Sequence, residues 1–435
     1  MRTAVRTFVG FGFGAIQAGL FLKEAFESGC FGRLVVAEVV PEIVAAVRGN
    51  GGNYWLNTAH IDRVEKSEIG PIEIFDPSIE PQRLALIEAI AQAEEIATAV
   101  PSVSFYTSES AGSIHRLLAA GLRQKAGAGG PRAVIYAAEN HNHAAELLEA
   151  SVLREVPGAE TQGVRAQVRF LNTVIGKMST VVSDAVTIAE QKLATVTPAL
   201  AWRAFRVEAF NRILVSRPSF QAPPVFERAM RTFAEKDDLL PFEEAKLYGH
   251  NATHALAAYV GELCGAKFIA DLKDMPGMID FLRRAFLEES GSALIQKYGG
   301  IDELFTPEGY RAYADDLLER MVNPWLLDEV ARVGRDPERK LGWNDRLIGT
   351  LRLALAHGLP GRRYAFGAAA ALAWLDRRML TEALQLEEML FPLWQPAQPN
   401  PDECQAVLAQ LALAAGALRR WKEHAFPSIE SILSP

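Results

Sequence analysis

The sequence predicts an α/β protein with two domains: an N-terminal Rossmann-like doubly wound parallel sheet and a mostly α-helical C-terminal domain. Over the first 200 or so residues, short β-rich runs alternate with helical ones, as in parallel βαβ units. Beyond about residue 180, strand-like runs become scarce and apolar residues recur with the 3.6-residue helical period. The 435 residues are enough for two separate cores. We therefore expect one domain at 1–205 and a second at 206–435.

The individual elements follow from these patterns in chain order. Predicted strands lie at 4–9, 34–38, 72–75, 95–100, 133–138 and 168–174. Helices are expected between them at 14–28, from 41 onward, and at 81–94, 110–125 and 143–153. The helices of the second half are predicted at 225–236, 242–263, 278–290, 307–322, 344–357, 367–375 and 404–424. These positions make the first half the sheet domain.

Composition narrows the class of function. The formal net charge of −8 argues against a nucleic-acid partner, because phosphate binding needs a concentrated basic face. The three cysteines are far apart and form no C-x-x-C pair, so we expect neither a disulfide framework nor a cysteine zinc site, which fits a cytoplasmic protein. The longest apolar runs are too short to span a bilayer. The expected partner is a small molecule, and the chain a monomer or small homo-oligomer.

A glycine-rich turn between the first strand and the first helix predicts a dinucleotide site. Glycines there allow backbone N–H groups to approach a pyrophosphate at a helix N-terminus. Gln17 stands where G-x-G-x-x-G has its third glycine, and Gly19 is a candidate for that close-packing role. Glu38 ends the second strand at the expected distance and favours NAD over NADP, since a carboxylate binds a ribose diol and repels a 2′-phosphate. The predicted cofactor-binding residues are Gly10, Gly12, Phe13, Gly14, Ala15, Ile16 and Glu38. A glycine-rich turn that binds no nucleotide is the alternative.

The second constellation is a run of polar residues on one predicted helix. At 100° per residue, Glu243, Lys246, Asn251 and His254 share an arc of about 140° together with His250. Interconversion of an alcohol and a ketone needs a base for the alcohol proton and a donor for the developing alkoxide. We therefore assign Lys246 as the acid/base, Asn251 to the substrate oxygen, His254 to orienting the lysine or substrate, and Glu243 to proton release.

Two other interpretations of this helix remain open at this point. A charged helix face exposed to water is the commonest fate of such residues. Histidines four apart, as His250 and His254 are, also suit a metal site, but no H-E-x-x-H motif or third ligand accompanies them, and we expect no metal. Short-chain dehydrogenases need Tyr-x-x-x-Lys, and none of the nine tyrosines has lysine four residues later.

These residues resemble the polyol-specific long-chain dehydrogenases, the mannitol dehydrogenase family. Lys246, Asn251 and His254 match the family's spacing of lysine, four residues, asparagine, two residues, histidine. The stretch FGFGAIQAG at 11–19 is similar to its Gly-x-Gly-Asn-Ile-Gly-x-Gly turn, apart from Gln17. The resemblance covers nearly the whole chain and implies a metal-independent, NAD-dependent enzyme with a helical C-terminal domain.

Further segments carry the same resemblance and imply roles for more residues. Asn140 follows Ala138-Glu139 as in the family's C-(E/D)-N segment, which implies an oxyanion-hole role, and Asn172 lies in a segment similar to F-x-N-(S/T/G). Gly176-Lys177 stands where the family usually has Asp-Arg. Residues 332–341 and 345–348 are most similar to the mannitol-1-phosphate 5-dehydrogenase branch.

The substrate is expected to be a polyol, of the mannitol 1-phosphate to fructose 6-phosphate type. A basic cluster that could clamp a phosphate or carboxylate supports this, with surface charge pairing as its alternative. The predicted substrate-binding residues are Asn172, Arg332, Arg335, Arg339 and Lys340. A sugar acid of the mannonate or tagaturonate type, a non-phosphorylated polyol, and a non-catalytic NAD-binding sensor stay open as alternatives.

Overall fold

A computed structural model describes residues 6–220, 226–424 and 428–433. The chain divides into two compact units, Met1–Leu240 and Pro241–Pro435. Within the described part of the chain, no helix is long and apolar enough to cross a membrane. All three cysteines are free thiols.

The first unit is built on two β-sheets. Its described strands are β1 (Arg6–Phe11), β2 (Phe31–Ala37), β3 (Tyr54–Ala59), β4 (Val64–Ile69), β5 (Glu73–Phe75), β6 (Glu95–Thr98), β7 (Ala133–Ala137), β8 (Val168–Ile175), β9 (Ser179–Val182), β10 (Ala204–Glu208), β11 (Ile213–Ser216) and β12 (Phe233–Lys236). The eight-stranded sheet has the order β12-β11-β8-β7-β6-β1-β2-β5, and the four-stranded sheet has the order β4-β3-β10-β9. In the large sheet, neighbouring strands are parallel except β11 and β8.

The large sheet is buried on both faces, as a doubly wound fold requires. In β7, Val134 and Tyr136 belong to one apolar cluster, and Ala133 and Ile135 belong to another on the opposite face. The helices of this unit are Gln17–Leu22 (a π-helical turn), Lys23–Glu27, Pro41–Gly49, Glu80–Gln92, Ile114–Ala128, Ala144–Arg154, Gly158–Gln167 and Ala185–Glu190, with a 3₁₀ turn at Val103–Tyr106. The chain leaves β1 toward β2 on one side while β6 lies on the other, so a topological switch point lies at the carboxyl end of β1.

Apart from one isolated β-bridge between Phe268 and Glu329, the regular secondary structure in the described part of the second unit is helical. Its α-helices and π-helical turns (π) are Leu240–Glu244, Ala245–Asn251 (π), Ala252–Leu263, Met278–Arg284, Ala285–Gly291 (π), Ser292–Tyr298, Pro307–Met321, Val330–Gly334, Pro337–Lys340, Ile348–Ala356, Arg362–Leu375, Leu386–Trp394, Pro401–Glu423 and Ile429–Leu433. Short 3₁₀ turns lie at Ile269–Asp274, Glu303–Phe305, Arg377–Leu380 and Gln395–Ala397. The alanine-rich helix Arg362–Leu375 is central, and Gly367 allows it to pack closely against Leu256.

Two expectations about the end of the sheet unit differ from the structure. The predicted helix at 225–236 contains strand β12 instead, while residue 225 lies outside the described residues. Both β11 and β12 extend the large sheet, because Ile213 and Phe233 are buried in the core of that unit. The first unit therefore runs to Leu240 rather than to the expected boundary at 205.

Candidate active-site residues in the two units

The glycine-rich turn leaves room for a ligand where the sequence predicts one. Gly12 has φ +83°, a conformation that L-residues with a side chain rarely adopt. A Cβ atom on Gly14 would meet no atom within 4 Å, so the backbone there is open. The helix begins at 15, directly after this open position, and its first N–H groups are available to an anion. These features fit the pyrophosphate of a dinucleotide.

Gln17 explains how the turn departs from the three-glycine fingerprint. Its side chain is fully buried and lies against Gly10, where a Cβ atom would be 2.1 Å from Nε2 of Gln17. Gly19 does the close packing expected of it, because a Cβ atom there would come within 2.4 Å of Val207. Gly10 thus makes space for Gln17, and Gly19 lets the helix pack against β10.

Glu38 is bound to backbone N–H groups in the structure. One carboxylate oxygen accepts the N–H of Phe13 at 2.9 Å, and the other accepts those of Val39 and Val40 at 2.7 and 2.9 Å. The side chain is 7% exposed. Glu38 therefore ties the glycine-rich turn to the end of β2, and its contact with a ribose diol stays a prediction.

Asn140 lies just beyond β7 and is exposed. The preceding Glu139 is buried, and its carboxylate accepts hydrogen bonds from the Thr98 hydroxyl, the Val100 N–H and the Tyr106 hydroxyl. Burial raises the pKa of Glu139 against the opposing effect of these hydrogen bonds. Glu139 connects the ends of two adjacent strands and so fixes the segment that carries Asn140.

Asn172 in β8 and Lys177 just after this strand form hydrogen bonds with other residues of the protein. The Asn172 side chain accepts the N–H of Ala145 and donates to Glu146, so it stabilises the start of the helix Ala144–Arg154. Lys177 is buried and donates to the carbonyl groups of Glu208 and Phe210. Both side chains therefore form hydrogen bonds that stabilise the fold. A contact between Asn172 and the substrate stays a prediction.

The lysine motif lies on a π-helical turn, Ala245–Asn251, inserted in the continuous helix 240–263. Hydrogen bonds in a π-helix join residues five apart, and such turns are frequent at functional sites. Lys246 and Asn251 are five apart, so one π turn brings them closer to the same side of the helix than α-helical geometry would. The spacing of lysine and asparagine thus matches a local geometry that α-helical periodicity does not predict.

The environment of Lys246 lowers the pKa of its amine. Desolvation by burial, followed by the positive charge of Arg346, lowers the pKa of Lys246 to about 8, and Glu243 opposes this change. Burial together with several nearby cations holds the pKa of His250 well below its usual value. Lys246 is thereby able to exchange a proton near neutral pH, while His250 is uncharged.

His254 has a buried carboxylate as its neighbour. Oδ2 of Asp328 lies 3.1 Å from Nε2 of His254, and Oδ1 accepts a hydrogen bond of 2.8 Å from Nε of Arg332. Burial alone would raise the pKa of Asp328, but the histidine and the arginine outweigh it and lower the pKa to about 2. The sequence alone predicts no role for Asp328, yet it joins the predicted catalytic histidine to a predicted substrate-binding arginine.

The four predicted basic substrate residues do not form a single cluster of free cations. Arg332 pairs with Asp328, whereas Arg335 and Arg339 are exposed. Lys340 is 2% exposed and donates to the carbonyl of Arg335. Among the residues that the structure describes, no group of three His, Cys, Asp or Glu side chains is placed to hold a metal ion.

The fold is that of a two-domain protein with a Rossmann-like sheet domain and a helical C-terminal domain. Over 99% of its length the chain is similar in fold to a D-sorbitol dehydrogenase, with TM-score 0.75 and 15% identity over 95% of that chain. It is similarly related to the Pseudomonas fluorescens mannitol 2-dehydrogenase, with TM-score 0.70 and 16% identity over 94% of that chain. That structure is a ternary complex with NAD and D-mannitol.

Residues 238–420 match the family model "Mannitol dehydrogenase C-terminal domain". This segment, which contains the lysine motif, is similar to the C-terminal domain of the mannitol dehydrogenase family. The predicted fold class is thereby confirmed, and the predicted family is supported over the C-terminal domain. The assignment to the mannitol-1-phosphate branch stays a prediction.

Proposed function

We propose that the protein is an NAD-dependent, metal-independent dehydrogenase that interconverts a secondary alcohol of a polyol and the corresponding ketone. The observation that carries this proposal is the π-helical turn with Lys246, whose pKa is lowered to about 8, next to His254 and its partner Asp328. The class of reaction also agrees with that of the D-sorbitol dehydrogenase and the mannitol 2-dehydrogenase whose folds are similar. The substrate that we favour is of the mannitol 1-phosphate to fructose 6-phosphate type, with a sugar acid or non-phosphorylated polyol as alternatives.

The cofactor site belongs to the first unit. Gly12 and Gly14 would admit the pyrophosphate, the helix N-terminus at 15 would stabilise its charge, and Glu38 would disfavour a 2′-phosphate. The cofactor, when bound, supplies the acceptor for the carbinol hydride. Glu38 keeps the turn in shape by accepting the N–H of Phe13.

The proton is handled by the second unit. In alcohol oxidation, neutral Lys246 accepts the hydroxyl proton, and the Asn251 amide donates to the oxygen as it gains negative charge. His254, held by Asp328, orients the lysine or the substrate. Glu243, whose charge acts on Lys246, receives the proton for release. The family resemblance assigns Asn140 to the same substrate oxygen.

The test is steady-state, NADH-linked activity with fructose 6-phosphate, fructose and uronates, followed by alcohol oxidation across pH with the best substrate. Oxidation should rise with pH around 8, because Lys246 must lose its proton before it can act as a base. Lys246→Ala should lower turnover at least about a hundredfold. The exposed Lys273→Met variant is the control. Near-normal turnover and an unchanged pH profile in Lys246→Ala would refute the mechanism.

A further inference from the structure

Arg346 lies against the π-helical turn of the lysine motif through a close helix contact. The hydroxyl of Thr350 donates to the carbonyls of both Arg346 and Tyr248, at 2.5 and 3.2 Å. Gly349 permits this approach, since a Cβ atom there would be 2.7 Å from the Tyr248 ring. The start of the helix Ile348–Ala356, and with it Arg346, is therefore held beside the turn that carries Lys246.

A second contact brings Arg346 beside Lys340. The N–H of Leu347 donates to the carbonyl of Lys340 at 3.2 Å and so joins the two segments. The ammonium group of Lys340 is buried and donates to the carbonyl of Arg335, a neutral acceptor. The side chains of Arg346 and Lys340 thus bring two positive charges into a largely buried region, where charge needs compensation.

The two terminal nitrogens of the Arg346 guanidinium group are available to bind a ligand. Its Nε donates to Asp345 at 2.8 Å, and the side chain is 12% exposed. Within the described part of the chain, its two terminal nitrogens have no hydrogen-bond partner. Paired donors on a planar fork are the arrangement that binds the oxygens of phosphate or carboxylate groups.

The positive charge of Arg346 acts on both lysines. Burial comes first in lowering the pKa of Lys246 and of Lys340 to about 8, and for both the largest contribution from a charge is that of Arg346. Cations that repel each other in this way are relieved when an anion binds among them. The positions and positive charges of Arg346 and Lys340 therefore favour binding of an anionic group of a ligand.

We propose that Arg346, together with Lys340, recognises the anionic group of the substrate, a phosphate monoester or a carboxylate. This inference rests on the proposed function, because it names the substrate class of that same site. Arg346, which lies outside the lysine motif, would then determine the preference for charged over neutral polyols.

The binding test uses inorganic phosphate as its probe on the intact protein. Trace acetylation with acetic anhydride across pH, read by mass spectrometry, reports how reactive Lys340 and Lys246 are. In the wild type, phosphate should protect Lys340. Arg346→Met should abolish this protection and move the titration of both lysines toward the usual lysine value, whereas Arg346→Lys should restore the low titration with weaker protection. Arg377→Met, which removes an exposed ion pair with Glu262, is the control.

The activity test compares fructose 6-phosphate, a uronate and fructose, which separates phosphate from carboxylate recognition. Arg346→Met should lower kcat/KM for the preferred anionic substrate at least about tenfold more than for fructose, the scale of a lost charged hydrogen bond. Loss of phosphate protection in Arg346→Met, with no NADH-linked turnover in any form, would support the anion site while refuting the proposed dehydrogenase. Protection that survives in Arg346→Met, or that is missing in the wild type, would overturn the role of Arg346.

Discussion

At the scale of single residues, Asp328 shows how one buried carboxylate contacts two side chains predicted to lie in the active site. It faces His254 with one oxygen and Arg332 with the other. Asp328→Asn keeps the shape and an acceptor for Arg332 but removes the negative charge beside His254. We expect kcat to fall by about tenfold or more with a smaller change in KM, since orientation rather than substrate contact is lost.

The matched control for this variant is Asp315→Asn, which removes an exposed carboxylate paired with Arg283. Exposed ion pairs contribute little, so this control should leave kcat and its pH profile unchanged. Equal kcat values for Asp328→Asn and the wild type across pH would show that Asp328 does not position His254.

Glu38 is the residue expected to set cofactor preference. Its charge disfavours a 2′-phosphate, but it also holds the N–H of Phe13. Glu38→Ala should therefore weaken NADH binding while it narrows the difference between NADH and NADPH. Fluorescence titration of both cofactors measures this. Tighter binding of NADPH than NADH by the wild type would contradict the assignment.

At the scale of elements, different glycines of the glycine-rich turn are expected to serve packing and ligand binding. Gly10→Ala places a methyl group against buried Gln17, so it should reduce the free energy of unfolding by about 1–3 kcal/mol, as overpacking does. Gly14→Ala meets open space, so it should leave stability nearly unchanged and weaken NADH binding. Chemical denaturation and NADH titration of both variants measure the two effects.

The double variant Gly10→Ala with Gln17→Ala provides the control for packing. If the two side chains compete for one space, the double variant should be more stable than the sum of the single changes predicts. Additive losses would show that Gly10 is not required by Gln17.

The elements also show where sequence reasoning succeeds and fails. Strands β1, β2, β6, β7 and β8 are short apolar runs between helices, so the sequence pattern alone was sufficient to predict them. The second sheet was not predicted, because β4 has the sequence VEKSEI and a mostly non-buried pattern that provides no apolar alternation. Strand β12 was mistaken for a helix, since its short FAEK run is stabilised by pairing with β11, a non-local contact that composition does not reveal.

The candidate site was predictable only where a motif carries it. Lys246, Asn251 and His254 follow from their spacing, although their π-helical turn does not. Asp328 and Arg346 are distant in sequence from that motif, and only packing shows that their charges act on its residues. Conversely, Asn172 and Lys340 have internal hydrogen bonds that no sequence pattern discloses.

At the scale of the whole molecule, the proposed chemistry requires no metal ion. No suitable ligand group exists among the described residues, and the family resemblance implies metal independence. NADH-linked turnover should therefore survive exhaustive chelation followed by dialysis. A stoichiometric metal, detected by elemental analysis, whose removal abolishes turnover and whose return restores it would contradict this expectation.

The two units have separate apolar cores, and they also carry different parts of the proposed reaction. The predicted cofactor-binding residues lie in the first unit, whereas Lys246 lies in the second. Lys246→Met should therefore abolish turnover while the dissociation constant of NADH stays within about threefold of the wild-type value, a difference of less than 1 kcal/mol. Gly14→Ala should weaken NADH binding while the acetylation profile of Lys246 remains that of the wild type. Fluorescence titration and trace acetylation of both variants measure the two properties independently. If Lys246→Met weakens NADH binding as much as Gly14→Ala does, cofactor binding and proton transfer are not divided between the units.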